Sequence, residues 1–219
     1  MATRQVLADL GQAYQAFSGV QVVIESMGGV DAAKRVVTGE PFDAVFLASD
    51  AIDKLIASGH VVAGSRVDLM RSSVAAAVRQ GAARPDLSSE DAVRRALLAA
   101  RSISYSTGPS GVALAELFAR WGIADAIAPR IVTPPPGIPV GSLVARGEVD
   151  LGFQQLSELI HIKDIEVLGP LPRAIQIVTT FSAGVCALST QADAVRALLT
   201  FMCSGQATGA KQRQGMEPA

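Results

Sequence analysis

Between residues 102 and 111 the chain reads Ser-Ile-Ser-Tyr-Ser-Thr-Gly-Pro-Ser-Gly, and an apolar stripe at Leu114, Leu117, Phe118 and Trp121 follows. The spacing predicts a short strand through Ile103 and Tyr105, a turn of small polar residues, and then a helix. Ser106, Thr107, Gly108, Ser110 and Gly111 form the turn. It gathers backbone N–H groups, hydroxyls and the positive end of a helix dipole at one spot. The chemistry this allows is capture of a small anion without lysine. The spacing fits neither a dinucleotide fingerprint nor a P-loop. A turn of this composition also serves as an ordinary helix cap.

Composition narrows the function classes. With 219 residues, 49% hydrophobic and 18% charged, the chain suits one large domain or two small lobes. A net charge of −1 provides no basic field to hold a nucleic acid. No run of about 18 apolar residues is present to span a membrane. No signal-peptide pattern is visible, and the sequence opens directly on a helical pattern at Val6, Leu7, Leu10, Tyr14 and Phe17. Since an α/β domain usually opens on a strand, a leader and a first strand are expected to lie outside this sequence. Cys186 and Cys203 have no metal-ligand spacing with any histidine and read as small apolar side chains, with a disulfide left open. His60 and His161 read as surface or loop histidines. No metal and no cofactor is expected.

The rest of the pattern supplies the elements that would position such a turn. Helix 3–17, strand 20–25, helix 30–38, strand 43–48 and helix 50–57 alternate, which argues for a parallel α/β sheet. Residues 72–79 and 175–187 read as long strands, and Ser88 with Asp91 as a capping-box variant for helix 89–100. A stiff Pro-rich connector spans 133–139 and leads to helix 139–146 and strand 149–154; the final helix covers about 190–203. Gln154 and Gln155 fall at the C-terminal end of a buried strand, where open α/β folds bind ligands, although they also serve simply to cap it.

Three segments carry a family resemblance: Gly19 to Asp50, Ser104 to Ile127, and Leu143-Val-Ala-Arg-Gly-Glu-Val-Asp-Leu-Gly-Phe-Gln154 with Ser157 after it. On these the chain resembles the type II periplasmic solute-binding proteins, nearest the molybdate-binding branch, which also includes aconitate isomerase. The resemblance implies an α/β, two-lobed fold with two crossover strands and a ligand cleft between the lobes. Lobe one would be 1–74 plus 180–219, lobe two 79–174, and the crossovers would lie near 75–78 and 175–179. Molybdate binders place serine hydroxyls at the first helix start and after the second strand, and a tyrosine near the second crossover. Here those positions read Thr3-Arg4, Ser26-Met-Gly28-Gly29 and Phe181. The site therefore looks rebuilt. Arg4, with Arg71, offers forked donors suited to carboxylates, or else a solvated side chain. Gly28 and Gly29 leave room for something larger than a tetrahedral oxyanion, which points to an organic di- or tricarboxylate.

The implied function is the periplasmic binding component of an ABC-type importer: a monomer whose partners are a small anionic ligand and the transporter's membrane subunits. The alternative is an aconitate-isomerase-like enzyme on the same scaffold, with Glu25 and Glu158 as the candidate bases. A third class, a cytoplasmic ligand sensor, applies if the start is genuine, but no helix-turn-helix segment accompanies it.

Overall fold

The computed structural model describes residues 2–135 and 137–219, so Pro136 of the expected connector lies outside the described residues. In chain order the elements are α1 (Arg4–Ser18), α2 (Gly29–Val37), β1 (Ala44–Ala48), α3 (Ser49–Ala57), β2 (Val67–Arg79), α4 (Glu90–Ala99), β3 (Ile103–Tyr105), α5 (Pro109–Arg120) and α6 (Ala124–Ile127). They continue with α7 (Val140–Ala145), β4 (Leu151–Gln155), α8 (Leu156–Leu159), β5 (Ile165–Pro170), β6 (Val178–Val185), α9 (Ala192–Cys203), α10 (Thr208–Arg213) and β7 (Glu217–Pro218). The chain forms two compact units, Met1–Ser72 with Thr179–Ala219, and Ser73–Val178.

In the first unit, β1 pairs antiparallel with β6, and β7 pairs antiparallel with β2 at Met70 and Arg71. The apolar stripe of α1 (Val6, Leu7, Leu10, Tyr14) is buried against Leu69, Met70, Ala183 and the inner face of α9. A second cluster joins Val36, Val45, Leu47, Ile52 and Leu55, where α2 and α3 cover β1. In the second unit, β2 pairs antiparallel with β4 and β5, and β3 runs parallel to β4. Its core gathers Val74, Val93, Leu97, Ile103, Leu114, Phe118, Leu151 and Phe153.

The structure corrects several expectations. Residues 20–25 form no strand: Val22 and Ile24 turn inward onto the first core and Val23 outward, but no ladder forms among the described residues. Alternation alone gives an extended segment; a strand also needs a partner edge. The sheet is mixed rather than parallel. Antiparallel pairs predominate among those described because β2 and β6 return across the units they enter, a long-range fact that local alternation does not carry. The cap of α4 is Ser89, which accepts from the Ala92 N–H at 3.2 Å, while the Ser88 N–H is bound to Asp86; the cap sits one residue later than Ser88 with Asp91 would place it. The strand expected from 175 begins at Val178, after a 3₁₀ turn at Arg173–Ile175. Cys186 is buried, Cys203 is exposed, and both are free thiols.

Candidate anion-binding site

Two short parallel strands position the site. Ile103 stands beside Leu151, Ser104 beside Gly152, and Tyr105 beside Phe153. The residues that leave these strands, Ser106-Thr107 and Gln154-Gln155, therefore emerge side by side at the C-terminal edge. Gly108 then caps α5 in an extended conformation, and Pro109 opens the helix with a φ already suited to it. The Gly111 and Val112 N–H groups both bond the Gly108 carbonyl. Those of Thr107, Gly108 and Ser110 have no protein partner among the described residues, so three backbone donors remain at the dipole's positive end.

Close packing holds this turn in shape. Ser106 Oγ lies 2.9 Å from Ser110 Oγ, and Ser110 is buried. A Cβ on Gly111 would stand 1.6 Å from the Ser106 carbonyl oxygen, so only glycine lets the first turn of α5 seat on the strand exit. Beside the turn lies a cavity of about 210 Å³, lined by Tyr105, Ser106, Thr107, Val112, Ala115 and Thr133 among others. Its lining is largely apolar and includes the hydroxyl-bearing Tyr105, Ser106, Thr107 and Thr133. The sequence reading missed Tyr105, Val112, Ala115 and Thr133 as lining residues. Thr133 arrives through a parallel bridge between Ile103 and Ile131, a pairing that no local signal announces.

On the other face of β4, Gly152 lets α7 approach: a Cβ there would stand 2.6 Å from Val144 and 2.8 Å from Val140. The Gly141 N–H donates to Gln154 Oε1 at 3.3 Å. The Gln154 side chain also hydrogen-bonds Glu158 on α8. Burial pushes the Glu158 carboxyl above the usual carboxylate range, and the Gln154 bond opposes that rise. Gln155, also buried, ends the strand.

The remaining candidates belong to the first unit. Thr3 precedes α1 without a side-chain cap bond, and Arg4 is exposed. Gly28 and Gly29 begin α2. Arg71 is not left open for a ligand, since its guanidinium donates to the Pro218 carbonyl at 3.1 and 3.3 Å, closing the β2–β7 pair. Glu25 is likewise engaged: its carboxylate lies 2.6 Å from Arg35, which also holds Glu40 and contacts Met27 Sδ at 3.6 Å. Within one unit, then, the structure brings Ser106–Gly111 and Gln154–Gln155 together. Thr3-Arg4 and Gly28-Gly29 stand at two separate helix starts of the other.

This fold, with a donor-lined turn at the C-terminal edge of parallel strands, is that of a solute-binding protein. The family model described as bacterial extracellular solute-binding protein matches residues 1–217, and the chain belongs to that family. A curated relative, aconitate isomerase from a Pseudomonas species, is 40% identical over 218 residues, covering 97% of this chain and 83% of the relative. Among solved structures, the periplasmic molybdate-binding protein of Azotobacter vinelandii is similar in fold, with a TM-score of 0.79 at 22% identity over 98% of this chain and 95% of the other. The sulfate-binding protein of Mycobacterium tuberculosis H37Rv is also similar, with a TM-score of 0.75 at 20% identity over 100% of this chain and 83% of the other. Among the described residues no helix is long and apolar enough to cross a membrane.

Proposed function

We propose that this protein captures a small organic polycarboxylate, of the citrate or aconitate class, at the Ser106–Gly111 turn. The observation that carries this reading is the pairing of uncharged donors with the adjoining, largely apolar cavity. Its volume corresponds to roughly seven waters at about 30 Å³ each, more than a tetrahedral oxyanion fills. Ser106, Thr107, Gly108, Ser110 and Gly111 bind a carboxylate, the cavity takes part of the carbon skeleton, and Gln154 and Gln155 serve as further polar contacts. Thr3, Arg4, Gly28 and Gly29 enter as donors on the strength of the family resemblance. The protein would act outside the cytoplasmic membrane, delivering its ligand to the membrane subunits of an ABC-type importer.

A thermal-shift screen against molybdate, sulfate, citrate, and cis- and trans-aconitate tests this. A ligand at 100 times its Kd adds about 2.7 kcal/mol of stability. Stabilisation by the tricarboxylates is expected; stabilisation by molybdate or sulfate alone overturns the reading. The 40% identical relative supports a second reading, isomerisation of aconitate on the same scaffold. Incubation with cis-aconitate separates the two, because a binder leaves its ligand unchanged.

A further inference from the structure

We propose that the cavity flanking α5 is a second subsite, which takes an uncharged, hydroxyl-bearing carbon of the ligand and has Tyr105 and Thr133 as its specificity-determining residues. This rests on the polycarboxylate reading of the Ser106–Gly111 turn and narrows it to the hydroxy polycarboxylates. All the groups involved lie within the second unit, Ser73–Val178. The turn, α5 and the segment around Ile131 line the cavity jointly, so a molecule held at the turn reaches it directly.

Each wall contributes one half of the recognition. On α5, Gly111, Val112 and Ala115 fall three and four positions apart and so share one flank of the helix. Glycine and alanine leave the space open. Val112, 57% exposed, offers apolar surface that the carbon atoms of a ligand remove from water. On the opposite wall, the Tyr105 ring packs edge-on against Phe118 with centroids 5.6 Å apart, which fixes it on the core. Thr133 is brought to the same cavity by the Ile103–Ile131 bridge and by the Val132 N–H, which donates to the Ile103 carbonyl at 2.7 Å. Among the described residues, the hydroxyls of Tyr105 and Thr133 have no hydrogen-bond partner in the protein.

Charge decides what these walls accept. Among the described residues, no lysine, arginine, aspartate or glutamate lines the cavity. A second carboxylate placed there would lose hydration with no cation to replace it, so the carboxylates stay at the backbone donors of the turn and in water. A hydroxyl meets a different fate. It both donates and accepts, as do the hydroxyls of tyrosine and threonine, so each can satisfy the other. Discrimination then comes from the analogue that lacks the group. Its bare carbon leaves the Tyr105 and Thr133 hydroxyls covered and unpaired.

Tricarballylate is citrate with the hydroxyl replaced by hydrogen, so the two ligands isolate this one group. Calorimetric titration of both is made with the wild-type chain, the double variant Tyr105→Phe/Thr133→Val, and Ala115→Leu. Thr133 and Ala115 are exposed and phenylalanine keeps the ring packing of Tyr105, so melting should change little. The wild type is expected to bind citrate about tenfold tighter than tricarballylate, and the double variant to bring that ratio within about threefold at unchanged tricarballylate affinity. Ala115→Leu, which fills the cavity, should weaken both ligands about tenfold. Equal wild-type affinities, a citrate preference that survives the double variant, or unchanged affinities in Ala115→Leu each overturn the subsite, while carboxylate capture at the turn stands. Binding of neither ligand to the wild type removes the polycarboxylate reading, and the proposal with it.

Discussion

Replacing Gly111 with alanine tests the architecture of the site most directly. The added Cβ would stand 1.6 Å from the Ser106 carbonyl oxygen and 2.7 Å from its carbon, where real Cβ contacts essentially never fall below 3.0 Å. The obstacle is backbone, so no side-chain rotation relieves it. The first turn of α5 must lift by more than an ångström, straining the Gly111 and Val112 bonds to the Gly108 carbonyl and loosening Leu114 and Phe118 in the core. Two weakened hydrogen bonds at about 1 kcal/mol each and an overpacked core together predict a loss of roughly 3 kcal/mol. For a chain of this size that lowers the unfolding temperature by about 6–12 °C. Gly108→Ala is the internal control: nothing lies within 4 Å of its Cβ position and its φ is −85°. It should cost about 1 kcal/mol or less as a slightly poorer cap. Calorimetric melts of both variants, repeated with citrate, read stability and binding together. A Gly111→Ala protein that melts within about 2 °C of wild type and binds equally well would refute the close seating of α5 on the strand exit.

Other outcomes follow from the same geometry. Ser182, fully buried, donates to Asp68 Oδ1 at 2.6 Å, and this bond, followed by the Arg66 guanidinium, holds the Asp68 carboxyl below its usual range. Asp68 therefore stabilises the fold above its ordinary pKa and loses that contribution as pH falls through its depressed one. Ser182→Ala should cost about 1 kcal/mol near neutral pH, the carboxylate being partly exposed, and less in strong acid; urea melts at pH 7 and pH 2.5 would show whether the penalty shrinks. Arg35 ties Glu25 and Met27 to α2 just ahead of Gly28-Gly29. Arg35→Met should weaken ligand binding about tenfold, through misplacement of those glycines, with little change in melting; unchanged affinity by calorimetric titration would exclude them from the site. Lys211 is buried with its ammonium 2.7 Å from the Leu69 carbonyl, and desolvation lowers its pKa. The unfolded chain then holds more protons just below the ordinary lysine range, so stability rises with pH there; Lys211→Met should abolish that slope in melts between pH 8 and 10.

What the sequence determined by itself is local. The stripe at Leu114, Leu117 and Phe118 placed α5, Pro109 and the glycines placed its start, and the apolar runs placed β1, β3 and β4 within a residue or two, because helix periodicity and turn chemistry act over a few neighbours. Motif resemblance added the family. What only tertiary structure decided is pairing. Residues 20–25 have strand composition but no partner edge, and β2 and β6 run antiparallel to neighbours distant in sequence. The same holds for the site: Ser106 and Gln154 are neighbours only because β3 and β4 align in register, and Thr133 reaches the cavity only through the Ile103–Ile131 bridge. The fates of the two candidate bases were equally invisible in the chain. Arg35 claims Glu25 from ten residues away, while burial and the Gly141–Gln154 relay set Glu158 apart. Electrostatic environment depends on which groups fold into contact, and sequence spacing does not encode that contact.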